Sequence, residues 1–189
     1  KKEFASSKIL ISIRNPIERA HSAYFSYQFM HPTNQTFMEM VKKHQKLIDD
    51  KIFYIDSILE SGFYIKNIIR FQKIFGKENV KIIIFEDYIK NTSKNIDSIL
   101  NFLGINDKMN LTEQSKGSYR IPKNFLLKIL LDNKSFRKIS TILIPTVMRQ
   151  KLGDKYFLKQ GKKPQMLENE RDYLRELYHD EVNELEKFL

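Results

Sequence analysis

The chain has no cysteine and no tryptophan. Without thiols there is no disulfide framework and no thiolate metal site. The four histidines stand at 21, 31, 44 and 179, with no spacing typical of a zinc site, so no metal centre is expected. Glycine is scarce as well: the six are at 62, 76, 104, 117, 153 and 161. None precedes the first apolar run, and a Gly-x-x-x-x-Gly-Lys spacing occurs nowhere. A Walker-type loop that would cradle phosphates with backbone N–H groups is therefore missing from this sequence. Long apolar runs are missing too. None is long enough to span a bilayer, and no signal-peptide pattern is present.

What is there fits a globular domain. The 189 residues suffice for one sizeable core, and the 41% hydrophobic content with scattered charge argues against disorder. The expectation is a single domain over 1–189. The net charge of +10, from 33 Lys and Arg against 23 Asp and Glu, would attract a nucleotide, an acidic glycan or a nucleic acid. Lysine abounds beside Ile and Asn, a bias that base composition alone can give, so charge by itself decides little. Aromatics do not cluster among the basic residues, which argues against single-strand nucleic-acid binding.

The most informative stretch runs from Lys8 to Tyr24. Ile9, Leu10, Ile11 and Ile13 predict a buried strand covered on both faces. Asn15 is placed to cap the helix that follows, and Pro16 suits its first position because its missing N–H would be unpaired there. Glu18, three residues after Asn15, has capping-box spacing. Arg14 then stands at the strand's carboxyl end, where open α/β folds bind ligands, and Ser22 lies two turns into the helix. Arg14 offers a bidentate, permanently charged grip on an anion, and Ser22 a neutral donor. The bland alternative is an ordinary ion pair at Arg14 and packing at Ser22. Arg19 shares a helix face with Ser22 and suits either anion binding or an acidic neighbour.

Arg14-Asn15-Pro16-x-x-Arg19-Ala20-x-Ser22-x-Tyr24 resembles the motif with which sulfotransferases bind the 3'-phosphate of 3'-phosphoadenosine-5'-phosphosulfate (PAPS). The resemblance continues in order. Gly62-Phe63-Tyr64 leads a helix with Ile65, Ile68, Ile69 and Phe75 on one face, and Gly76 closes it. A strand follows over Val80–Asp87, ending in Phe85-Glu86-Asp87, then a helix ending in Phe102-Leu103-Gly104. Ser115-Lys116-Gly117-Ser118-Tyr119 and Gln160-Gly161-Lys162-Lys163-Pro164 are similar to two donor-side loops of the glycan-modifying branch.

The resemblance implies an α/β fold, a P-loop-NTPase-like parallel sheet flanked by helices with a helix-rich C-terminal half. It implies an enzyme that moves a sulfuryl group from PAPS to an acceptor hydroxyl or amine, with PAP as product and no metal. Arg14 and Ser22 would hold the donor, joined by Lys116, Gly117, Lys162 and Lys163. The acceptor, a carbohydrate among the candidates, is not readable. The family's 5'-phosphosulfate loop and catalytic base would precede Lys1, so the chain reads as a domain cut at both ends, with no activity of its own. Its compartment is undetermined: cytoplasm is favoured, or a Golgi lumen if an upstream anchor exists. Two rivals stay open: a non-catalytic polyanion- or nucleotide-binding module, and a P-loop kinase-like enzyme.

The remaining expectations are structural. Glu86 and Asp87 read as holding the turn after their strand. Phe71, Phe75, Phe85 and Phe102 fall at core positions. Asn106 to Pro122 reads as a loop, Lys159 to Lys163 as a basic loop, Lys123 to Arg149 as helical with a break near Pro145, and Leu167 to Leu189 as one amphipathic helix.

Overall fold

The computed structural model describes residues 7–31, 33–106, 119–133, 135–136, 139, 148, 156 and 158–189. The chain divides into two compact units, one of residues 1–111 and 166–189, the other of 112–165.

The larger unit is mixed α/β and mostly helical. Strand β1 (Ile9–Ile13) pairs in parallel with β2 (Val80–Ile84), in register from Ile9↔Val80 to Ile13↔Ile84. Helices α1 (Pro16–Met30), α2 (Phe37–Asp49) and α3 (Ile65–Phe75) form the crossover between them. After β2 come α4 (Phe85–Lys90) and α5 (Thr92–Leu103). Local chemistry explains the boundaries. Thr36 and Glu39 form a complete capping box at α2. Gly76 ends α3 at φ +87° and Gly104 ends α5 at φ +77°, conformations that cost a side chain but not glycine.

One core joins Ile17, Ala20 and Tyr24 of α1 to Phe37, Met40 and Val41 of α2, with Ile58 and Leu59 between. Leu174 and Tyr178 from the chain's far end complete it. A second core packs Ile13 against Tyr64, Ile65, Ile68 and Leu185. His44 is buried in the helical layer, where its Nδ1 accepts from the Ile58 N–H at 3.1 Å. Burial and the nearby Lys43 charge hold its pKa below the usual imidazole value.

Four expectations change. Strand β1 is not covered on both faces: burial alternates along it, and Leu10 is 40% exposed. The residues Phe85, Glu86 and Asp87 are not strand but the first turn of α4. Phe71 is exposed rather than core, because α3 turns only Ile65 and Ile68 inward and leaves Phe71 stacked along its own surface on Phe75. The terminal helix is two, α7 (Glu168–Leu177) and α8 (His179–Phe188). They break at Tyr178, whose buried hydroxyl donates to the Leu59 carbonyl at 2.8 Å. Tertiary packing there overrides a continuous helical pattern.

In the smaller unit, β3 (Arg120–Pro122) pairs antiparallel with β4 (Leu158–Gln160), and α6 (Phe125–Asp132) follows β3. Asn124 caps α6, its side-chain oxygen accepting from the Leu127 N–H at 2.9 Å. Lys159 and Gln160 of the expected basic loop are therefore strand, opposite Ile121 and Arg120. The stretch 107–118 and most of 134–157 lie outside the described residues, and with them most of the expected loop and the break near Pro145; the end of that loop, Arg120–Pro122, is strand β3 instead.

Candidate anion site

The turn Arg14-Asn15 joins β1 to α1. Asn15 Oδ1 accepts from the N–H groups of Ile17 at 3.0 Å and Glu18 at 3.2 Å, as the cap requires. The reciprocal half of the expected box does not form. Glu18 turns instead to Arg171, at 2.8 Å. The Asn15 N–H donates to Glu86 Oε1 at 3.0 Å, so Glu86 holds the turn before α1 rather than the one after its own strand.

Arg14 is fixed through its backbone. The Tyr64 hydroxyl donates to the Arg14 carbonyl at 2.9 Å, and burial raises the Tyr64 pKa, keeping that donor protonated. Tyr64 is held in turn. Its N–H and that of Ile65 donate to Glu181 Oε1 at 2.6 and 2.8 Å, which caps α3 from α8. Gly62 makes room for this arrangement: a Cβ there would lie 2.7 Å from the Tyr178 hydroxyl oxygen.

The Arg14 guanidinium lies over the Phe85 ring at 5.1 Å, an ordinary cation–π distance. Glu86 Oε1 approaches its Nε only to 3.9 Å, too long for a hydrogen bond. Two guanidinium nitrogens, Arg14 Nε and Arg19 Nη1, are shut off from solvent with no hydrogen-bond partner. Arg19 forms no ion pair among the described residues, and its charge reaches the hydroxyls of both Tyr64 and Tyr178. Arg14's side chain is 33% exposed, so an anion can reach it. Arg14 and Arg19 thus each keep a guanidinium nitrogen without a partner among the described residues, the kind of charged donor that suits an anion such as phosphate.

Ser22 is half-buried in α1; its carbonyl accepts from Ser26 Oγ at 3.2 Å, and its hydroxyl makes no hydrogen bond among the described residues. Lys116 and Gly117 lie outside the described residues. Lys162 and Lys163 follow β4 in the smaller unit, the first exposed and the second half-buried. There Gly161 donates its N–H to the Tyr119 carbonyl at 2.8 Å. Tyr119, Ile121, Pro122, Asn124, Phe125 and Lys159 line a hollow of about 420 Å³. Sequence reasoning missed Tyr64 and Glu181 as supports of Arg14. The Gly-x-Tyr pattern pointed at Tyr64, but no local signal marks Glu181.

A family model described as the sulfotransferase domain matches residues 2–186. Among solved structures, a sulfotransferase from Alicyclobacillus acidocaldarius aligns at 27% identity with a TM-score of 0.49, over 58% of this chain and 45% of that one. The chain thus matches less than half of that protein's length. No curated protein matches the sequence.

Proposed function

The chain belongs to the sulfotransferase family, and on that premise we propose that it serves sulfuryl transfer from PAPS to an acceptor hydroxyl or amine. Arg14 binds the donor's 3'-phosphate, with Ser22 as a second donor on α1. The observation that carries this is the Arg14 guanidinium, part-exposed just past the carboxyl end of β1 with no carboxylate of the described residues within hydrogen-bond distance. A phosphate meeting its exposed part would make a charge-assisted hydrogen bond. The bland alternative, a tight ion pair, is poorly served by Glu86 at 3.9 Å with its Oε1 already bonded to Asn15.

In the reaction, the sulfur–oxygen bond to the donor's 5'-phosphate breaks as a bond to the acceptor forms, and the acceptor's proton passes to a base. Arg14 and Ser22 set the donor's register and perform no chemical step. Lys116, Gly117, Lys162 and Lys163 are further donor contacts in this reading, and a carbohydrate is one candidate acceptor. PAP is the product that leaves.

Titration calorimetry with 3',5'-ADP and 5'-AMP tests the assignment. The 3'-phosphate should give tighter binding, and Arg14→Ala should remove about 2–4 kcal/mol of that difference. Equal affinity for the two nucleotides in the unmutated protein overturns it.

A further inference from the structure

The positive charge of this chain is not spread evenly. Residues 112–165 hold 13 Lys and Arg against 3 Asp and Glu, while the rest of the chain holds 20 of each sign. The whole net charge of +10 therefore belongs to the smaller unit, and the unit bearing Arg14 is neutral by this count. A donor nucleotide needs a few cations, not an excess of this size.

The same unit exposes large apolar side chains. In α6, Phe125 is 73% exposed, Leu126 76% and Ile129 53%. Phe125 and Ile129 are four residues apart and so share a helix face, with Leu126 beside them. The Asn124 cap fixes the first turn, so Phe125 and Leu126 are held next to exposed Lys123. Phe125 also lines one hollow with Lys159, which projects from β4. Ile139, Met148 and Tyr156 are each more than half exposed in the same unit.

We propose that α6 docks on an anionic lipid surface, with Phe125, Leu126 and Ile129 entering the headgroup boundary and Lys123 and Lys159 beside them. Lysines beside exposed Phe, Leu and Ile suit a surface of anionic headgroups over an apolar interior. A nucleic acid or an acidic glycan would use the charge and leave the apolar face in water. An apolar protein partner would use the face and gain nothing from the charge. No described helix is long and apolar enough to cross a membrane, so α6 would lie on the surface.

The test is sedimentation of the protein with vesicles of phosphatidylcholine alone or mixed with phosphatidylserine. Binding to the mixed vesicles should be at least about tenfold tighter, and should weaken as salt rises. The combined variant Phe125→Ser, Leu126→Ser, Ile129→Ser should lose about tenfold in vesicle affinity. Its circular dichroism and its 3',5'-ADP affinity should match those of the unmutated protein, which separates this proposal from the donor site. Lys159→Glu, outside the apolar face, should weaken vesicle binding in the same direction. Three results overturn the proposal: no vesicle binding, equal binding to both vesicle types, or binding that the serine variant keeps in full. The last, with competition by heparin, would mark a polyanion surface instead.

Discussion

Glu86 shows how one side chain can fix a turn without closing on the cation beside it. Its Oε1 accepts the Asn15 N–H at 3.0 Å yet stays 3.9 Å from Arg14 Nε. The carboxylate completes the cap of α1 while leaving the guanidinium short of a close partner. Two substitutions separate these roles. Glu86→Gln keeps an oxygen for the Asn15 N–H and removes the charge that competes with phosphate. Its melting temperature should be close to that of the unmutated protein, and 3',5'-ADP should bind as well or better. Glu86→Ala removes the acceptor and should cost about 0.5–1.5 kcal/mol in stability. Chemical denaturation and calorimetry check both. Weaker nucleotide binding by Glu86→Gln would mean that its charge holds Arg14 in place.

Among the elements, what could be read in advance is what local chemistry decides. The strand–turn–helix at Ile9–Met30 was legible because an apolar run, an Asn cap and a Pro at the first helical position agree. The ends of α3 and α5 were legible from Gly76 and Gly104. Pairing choices were not. Glu18 has capping-box spacing but turns to Arg171, and Glu86 takes its place from 71 residues away. The break at Tyr178 was hidden because its cause is the Leu59 carbonyl, 119 residues off in sequence. Arg14's place at a strand end was legible from the apolar run before it, whereas Glu181 acts through α3 and carries no local mark.

That relay makes a prediction at the element scale. Glu181→Ala frees the N–H groups of Tyr64 and Ile65 and loosens the start of α3. Tyr64→Phe removes only the hydroxyl, which donates to the Arg14 carbonyl at 2.9 Å and accepts from the Arg14 N–H at 3.4 Å. Both should weaken 3',5'-ADP binding, by about 0.5–1.5 kcal/mol for the lost hydroxyl, with little change for 5'-AMP. Glu181→Gln, which keeps an acceptor oxygen, should restore most of the loss. An equal drop for both nucleotides would reduce the relay to general stability.

At the scale of the whole molecule, His44 sets a lower pH limit on stability. Its folded pKa lies below the ordinary imidazole value of 6.5, so protonation favours the unfolded chain. Its contribution is fully present above 6.5 and fades as pH falls from there toward the folded pKa. Melting temperature should therefore drop more steeply between about pH 6.5 and 5 for the unmutated protein than for His44→Gln. Parallel curves would assign the acid sensitivity to other groups. The discontinuity of the larger unit has a further consequence, for the order of events at the ribosome. Residues 7–111 leave the tunnel first, and the 54 residues from 112 to 165 follow before α7 and α8 can return. Until then Tyr178 cannot fill the space beside Gly62, and Glu181 cannot cap α3. The support of the Arg14 turn is thus among the last things a nascent chain acquires, and a polypeptide stalled before α8 would emerge with Arg14 in place but unaimed.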